Sequence, residues 1–203
     1  MKISIISGSH RQNSQSGKVA RYIHGELQAG LVEESWLLDL GKTPFPLWDE
    51  SIWNGDPQWE KTLAPARAQL TDSDAFVIVT PEWHGQVPAA LKNFFLLFGK
   101  AELGHKPALI VAVSSGIGGA YPVAELRMSS YKNCRICYIP DHLIIREVET
   151  VLNDDDSKND PKTDPWYRER IHWSLTILRE YAIALAQVRA SGVTESDKFG
   201  YGM

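Results

Sequence analysis

Short apolar runs of strand length recur along this chain, and the segments between them carry apolar residues at helical spacing. The runs lie at 2–7, 34–39, 75–80, 108–113 and 135–139, and the helical spacings at 16–28, 58–71, 88–98 and 121–131. Strands alternating with helices of this length predict parallel pairing, because a parallel neighbour is reached only through a crossover. The continuous runs FVIV (76–79) and LIVAV (109–113) suit central strands covered on both faces. The pattern therefore predicts a doubly wound α/β domain of three layers. Its 203 residues, 43% hydrophobic and 23% charged, suffice for one sizeable core. With neither an internal repeat nor a linker, a single domain is expected over 1–190. The stretch 191–203 lacks apolar periodicity and is expected to be a frayed or partner-docked tail.

Charge and cysteine usage exclude several classes. A net charge of −4 and no long basic run argue against nucleic-acid or membrane-surface partners, which are gripped by clustered Lys and Arg. No stretch reaches about 18 apolar residues, and MKISII opens as a strand rather than as a leader. The two cysteines, Cys134 and Cys137, cannot build a disulfide framework, so a cytoplasmic location is expected.

In an open parallel sheet, ligands bind beyond the carboxyl ends of the strands where the strand order reverses. Three segments fall at such ends. The first follows strand one: Ser7, Ser9, Ser14 and Ser16 supply hydroxyls, Arg11 a planar cation, and the helix beginning near 14–16 its unpaired N–H groups. This composition describes a phosphate cradle, although a capped turn uses the same residue types. It matches neither G-x-x-x-x-G-K-[ST] nor G-x-G-x-x-G, which favours a monophosphate ester such as FMN over a nucleoside triphosphate or a Rossmann-bound dinucleotide. The second segment, Pro81, Glu82, Trp83, His84 and Gly85, places an aromatic and an imidazole where they could line a flat ring. The third, VSSGIGGAYP (113–122), has three glycines in four residues, which lets backbone N–H groups approach a ligand closely.

These three stretches together, GSHRQNSQSGKVA (8–20), PEWHGQVPAALKN (81–93) and SSGIGGAYPVAELR (114–127), resemble the NADPH-dependent FMN reductases of flavodoxin-like fold, whose members include azo, quinone and chromate reductases. The resemblance spans about 2–140 and implies a five-stranded parallel sheet in the order 2-1-3-4-5. It also implies bound FMN, NADPH or NADH as donor, a small-molecule electron acceptor, and a homodimer or homotetramer with the flavin near the subunit interface. By the same resemblance Ser9, Arg11, Ser14 and Ser16 hold the flavin phosphate. Pro81, Glu82, Trp83, His84 and Gly85 form one flavin-edge loop, where the family's PEYNG becomes PEWHG, and Ser115, Gly116, Gly118 and Gly119 form the other. No catalytic acid or nucleophile is required, because the hydride passes through the flavin itself. The backbone N–H groups of 82–85 and 116–119 are expected to face charge that develops on the ring. A flavodoxin-type carrier and a non-flavin phosphate-binding module are the alternative readings; the first would hold FMN that NADPH does not bleach, and the second would take up no flavin.

Other features read as structural. Cys134 and Cys137 match C-x-x-C at the start of a strand rather than of a helix, and are expected to be buried, inert thiols. Asn153, Asp154, Asp155, Asp156, Asp160 and Asp164 lack the glycine and terminal glutamate of an EF-hand loop, and are expected to form a solvated loop with no metal. Two regions suggest a partner chain: the aromatic loop 44–59, with Phe45, Trp48, Trp53 and Trp59, and the helix 165–189. That helix carries one stripe at Ile171, Leu175, Leu178, Ala182 and Leu185 and a second at Trp173, Ile177, Tyr181, Ala184 and Val188.

Overall fold

The computed structural model describes residues 1–196, 198 and 199. Five strands, β1 (Lys2–Ser7), β2 (Glu34–Asp39), β3 (Ala75–Pro81), β4 (Pro107–Val113) and β5 (Cys137–Ile145), form one sheet in the order β2-β1-β3-β4-β5. Every pairing is parallel. The connections run through α1 (Gln15–Glu26), α2 (Pro57–Asp72), α3 (Ala89–Leu97), the short α4 (Lys100–Leu103) and α5 (Ala120–Met128), and the chain closes with α6 (Thr163–Ala190). This is the flavodoxin-like doubly wound sheet in the order that the sequence implies.

Side-chain alternation along the strands divides the core into two layers. Ile3, Ile5, Val77, Val79, Leu109 and Val111 pack with α1 and α6 on one face. Phe76, Ile78, Ala108 and Ile110 pack with α2, α3 and α5 on the other. The strand reversal falls between β1 and β3, so the carboxyl ends of those two strands and of β4 define the crevice available to a ligand.

β5 departs from expectation. It begins at Cys137 rather than 135, because Arg135 sits in the left-handed region at φ 56°, and it continues to Ile145 through Pro140. A proline is tolerated there because β5 is an edge strand and its missing N–H leaves no central ladder broken. Cys134 consequently lies in the turn before the strand. It is buried, its Sγ donates to Ser130 O at 2.9 Å, and burial pushes its pKa up to about 11. Cys137 is only partly buried.

The aromatic loop 44–59 is more folded than its composition suggests. Trp59 belongs to α2, is buried, and donates from Nε1 to Ser51 Oγ at 2.7 Å. Phe45 and Trp48 pack partly into the core, leaving Trp53 exposed with its ring 4.7 Å from that of Trp48. Asn93 pins the loop by accepting from Trp48 N and donating to Pro46 O, both at 2.8 Å. On α6, Ile171, Leu175, Leu178 and Ala182 are fully buried, whereas Trp173, Tyr181 and Val188 of the second stripe stay exposed. The acidic segment caps backbone. Asp155 accepts from Ser157 N, Asp160 from Lys162 N and Thr163 N, and buried Asp164 from Leu152 N.

Candidate flavin site

The turn after β1 is shaped by two glycines. A Cβ at Gly8 would stand 2.6 Å from Leu91 Cδ2, so α3 packs directly against the turn, and a Cβ at Gly41 would collide with the carbonyl oxygen of Arg11. The exit of β2 thus presses on the first loop from one side and α3 from another. Within this frame the serines differ in role. Ser9 is buried and its Oγ accepts from Arg11 N at 3.3 Å. Ser14 is the N-cap of α1, with Oγ accepting from Gly17 N at 2.9 Å. Ser16 is buried in the first turn of α1, and its Oγ has no hydrogen-bond partner among the described residues. A buried hydroxyl without a partner costs about 1–3 kcal/mol, and it sits beside helix N–H groups that are themselves unpaired within the helix. Arg11 is exposed at the tip. A phosphate monoester fits this set: helix N–H groups and an orphan hydroxyl at one helix N-terminus, with an exposed arginine in the turn that leads into it.

The second loop is a two-residue hairpin. Trp83 and Gln86 exchange hydrogen bonds, N to O at 3.1 Å and 2.9 Å, with His84 at φ 51° and Gly85 at φ 72°. Positive φ at both central positions is the hairpin geometry that Asn-Gly adopts with least strain, and here His84 takes the asparagine's place. The turn brings Trp83 edge-on to His10, with centroids 4.6 Å apart, so the first two loops touch.

The third loop is joined to the second by Glu82. Its Oε2 accepts from Gly119 N at 2.6 Å. A Cβ at Gly118 would stand 2.8 Å from Glu82 Oε1, and one at Gly119, where φ is 104°, would collide with Ile144 Cγ2. Gly118 O accepts from Arg146 Nε at 3.0 Å, and Glu147 N and Val148 N donate to Gly116 O and Ser114 O at 3.0 and 3.2 Å. The side chain of Glu82 is therefore a strut between loops. The amides of Glu82, Trp83, Gly116 and Gly119 are engaged inside the protein, to Val113 O, Gln86 O, Ser114 Oγ and Glu82 Oε2. The donors expected to face a ring narrow to those of the residues between them.

All thirteen site residues expected from sequence lie at the carboxyl ends of β1, β3 and β4. Sequence reasoning missed Lys18, whose Nζ donates to Val148 O, Val151 O and Asn153 Oδ1 at 2.6, 2.8 and 2.9 Å. Burial lowers its pKa. These bonds tie α1 to the segment after β5, across a separation that no local pattern reports. Tyr121, exposed and 3.9 Å from where a Cβ of Gly85 would stand, was missed too, though it lies in the quoted third motif.

A doubly wound sheet in this order, with a serine-bearing turn after β1 and two glycine-bearing loops around the adjoining crevice, has the plan of a flavodoxin-like flavoprotein. Residues 1–150 match the family model described as NADPH-dependent FMN reductase, and the chain belongs to that family. It is 27% identical to the NADPH azoreductase of Bacillus sp. (strain OY1-2), over 71% of this chain and 76% of that protein. It is 25% identical to the 2-hydroxy-1,4-benzoquinone reductase of Burkholderia sp., over 90% and 94%. The flavoenzyme NAD(P)H:(acceptor) oxidoreductase FerB from Paracoccus denitrificans has a similar fold, with a TM-score of 0.68, 18% identity, and coverage of 90% of this chain and 97% of that one. The protein is an FMN-dependent NAD(P)H oxidoreductase.

Proposed function

We propose that this enzyme reduces a small aromatic acceptor of the quinone or azo class through FMN held by the three loops. The observation that carries the site assignment is the buried, unpartnered Ser16 hydroxyl at the N-terminus of α1. In this reading the helix N–H groups and Ser16 bind the phosphate, Arg11 adds a charge-assisted bond, and Ser9 and Ser14 fix the turn that presents them. Trp83, His84, Gly85, Ser115, Gly116, Gly118 and Gly119 border the ring, with Pro81 ending β3 beneath them and Glu82 holding the two loops at a fixed separation. When bound, FMN supplies the hydride chemistry. The protein's share is positioning and the exclusion of water. The acceptor class follows from relatives named as azo and quinone reductases, and an open rim bearing exposed Ile117 and Tyr121 suits a planar acceptor.

The domain is taken as 1–190 and the location as cytoplasmic, in keeping with two unpaired cysteines. Among the described residues no helix is long and apolar enough to cross a membrane. A homodimer or homotetramer is supported by the exposed Trp173, Tyr181 and Val188 of α6 and by Leu96 and Met128 beside the groove between α3 and α5. Sedimentation of the FMN-loaded protein as a 22.8 kDa species alone would count against an oligomer.

The deciding experiment is anaerobic absorbance of the FMN-reconstituted protein before and after NADPH or NADH, followed by a quinone and an azo dye. Rapid bleaching and then reoxidation by either acceptor supports the reading. Bleaching without reoxidation by either removes the acceptor class, flavin that neither donor bleaches indicates a carrier, and absence of flavin uptake removes the site assignment.

A further inference from the structure

A cavity of about 540 Å³ opens at the other end of the sheet, between the last turn of α2, α4, the turn into β4 and the end of α6. The seven residues of β4, at about 3.3 Å each, put it about 20 Å from the flavin loops. Lys100, His105, Lys106 and Arg189 line it, with Glu195 as its carboxylate.

The positive side chains are anchored rather than splayed into solvent. Lys106 is buried, and Nζ donates to Leu70 O and Thr71 O at 2.9 and 2.7 Å, so carbonyl oxygens rather than a carboxylate receive its bonds. Arg189 donates from Nη1 to His105 O at 3.0 Å, and its Nη2 lies 3.7 Å from Asp74 Oδ1. His105 is fixed through its backbone, with φ 56° and its N–H donating to Arg135 O at 2.8 Å. Its Nε2 is buried and has no partner among the described residues. Burial lowers the pKa of the ring, with Arg135, Lys100 and Arg189 adding to the effect and Glu195 opposing it. Lys100 is met by Glu195 at 2.9 Å, so a carboxylate from the tail already stands where an outside anion would bind.

We propose that this cavity is a second binding site, for a small phosphate-bearing ligand that takes a hydrogen bond from His105 Nε2 and displaces Glu195 from Lys100. Oxygens that reach that point once Glu195 moves aside satisfy His105 Nε2, and they exchange one anion for another at Lys100. The ligand needs no contact with the flavin, and the assignment does not rest on the acceptor.

The test follows the histidine ring signals of FMN-loaded protein by NMR as inorganic phosphate replaces chloride at constant ionic strength. FMN keeps the phosphate loop of α1 filled, and flavin absorbance reports that occupancy separately, so the two assignments fail independently. The expected result is a saturable shift of the His105 signals. Lys100→Ala should weaken the midpoint by about 10-fold, as for loss of one charge-assisted bond, and Glu195→Gln should tighten it several-fold by removing the internal competitor. A shift that does not saturate, or a midpoint that neither variant moves, overturns the proposal.

Discussion

Ser14 and Ser16 stand two residues apart in one turn and are predicted to respond oppositely to the same substitution. Ser14→Ala removes the N-cap of α1 and should cost about 1 kcal/mol in the flavin-free protein. Ser16→Ala removes a buried hydroxyl that has no partner, so flavin-free stability should hold or rise while FMN affinity falls by about 10-fold. Thermal melts with and without FMN separate the two. Glu82 gives a second contrast. Glu82→Gln retains an acceptor for Gly119 N, whereas Glu82→Ala leaves that amide free, and its hydrogen exchange should accelerate by roughly 10- to 150-fold. The residue types of the site were legible in the sequence because each carries its chemistry with it. The division of labour was not: whether a serine caps, braces or waits for a ligand depends on which neighbour reaches its oxygen, and Glu82 reads as a lining residue until Gly119 is seen beside it.

At the scale of elements, Lys18 is the joint between α1 and the segment 148–153. Lys18→Met deletes three hydrogen bonds and should destabilise the protein by about 2 kcal/mol in urea melts. Faster exchange should be confined to 148–153 and to the third loop stitched to it through Glu147 and Val148. β1 and β2 were readable residue for residue because they are short apolar runs bounded by turn signals. β5 was not, because it starts only after the left-handed turn at Arg135 and runs on through Pro140, Asp141 and His142, which interrupt the apolar run by which a strand is read. α6 was readable in most of its two stripes, since a helix displays its buried and exposed sides in the period of its own residues; Leu185 stays half-buried and Ile177 packs against the core instead.

For the molecule as a whole, Lys106 makes stability depend on pH in an unusual direction. Burial lowers its pKa from 10.5 to about 8, with Arg189 adding to the effect. Between those values the unfolded chain binds a proton that the folded chain does not, so folding gains stability as pH rises through the window. Below about 8 both forms are charged and the penalty is constant. The stability of the wild type relative to Lys106→Met should therefore grow by about 2–3 kcal/mol from pH 8 to 10.5, as denaturant melts at fixed ionic strength would record. The doubly wound plan was visible in the alternation of strands and helices. The packing of residues far apart in the chain, which creates both this buried amine and the Lys18 joint, was not. That joint also orders events during synthesis. Lys18 on α1 precedes by 130 to 135 residues the oxygens that secure it, those of Val148, Val151 and Asn153. A nascent chain halted before those residues emerge carries an unsecured α1, and with the proposed phosphate site at the start of that helix, capture of the cofactor becomes a late step in the life of the polypeptide.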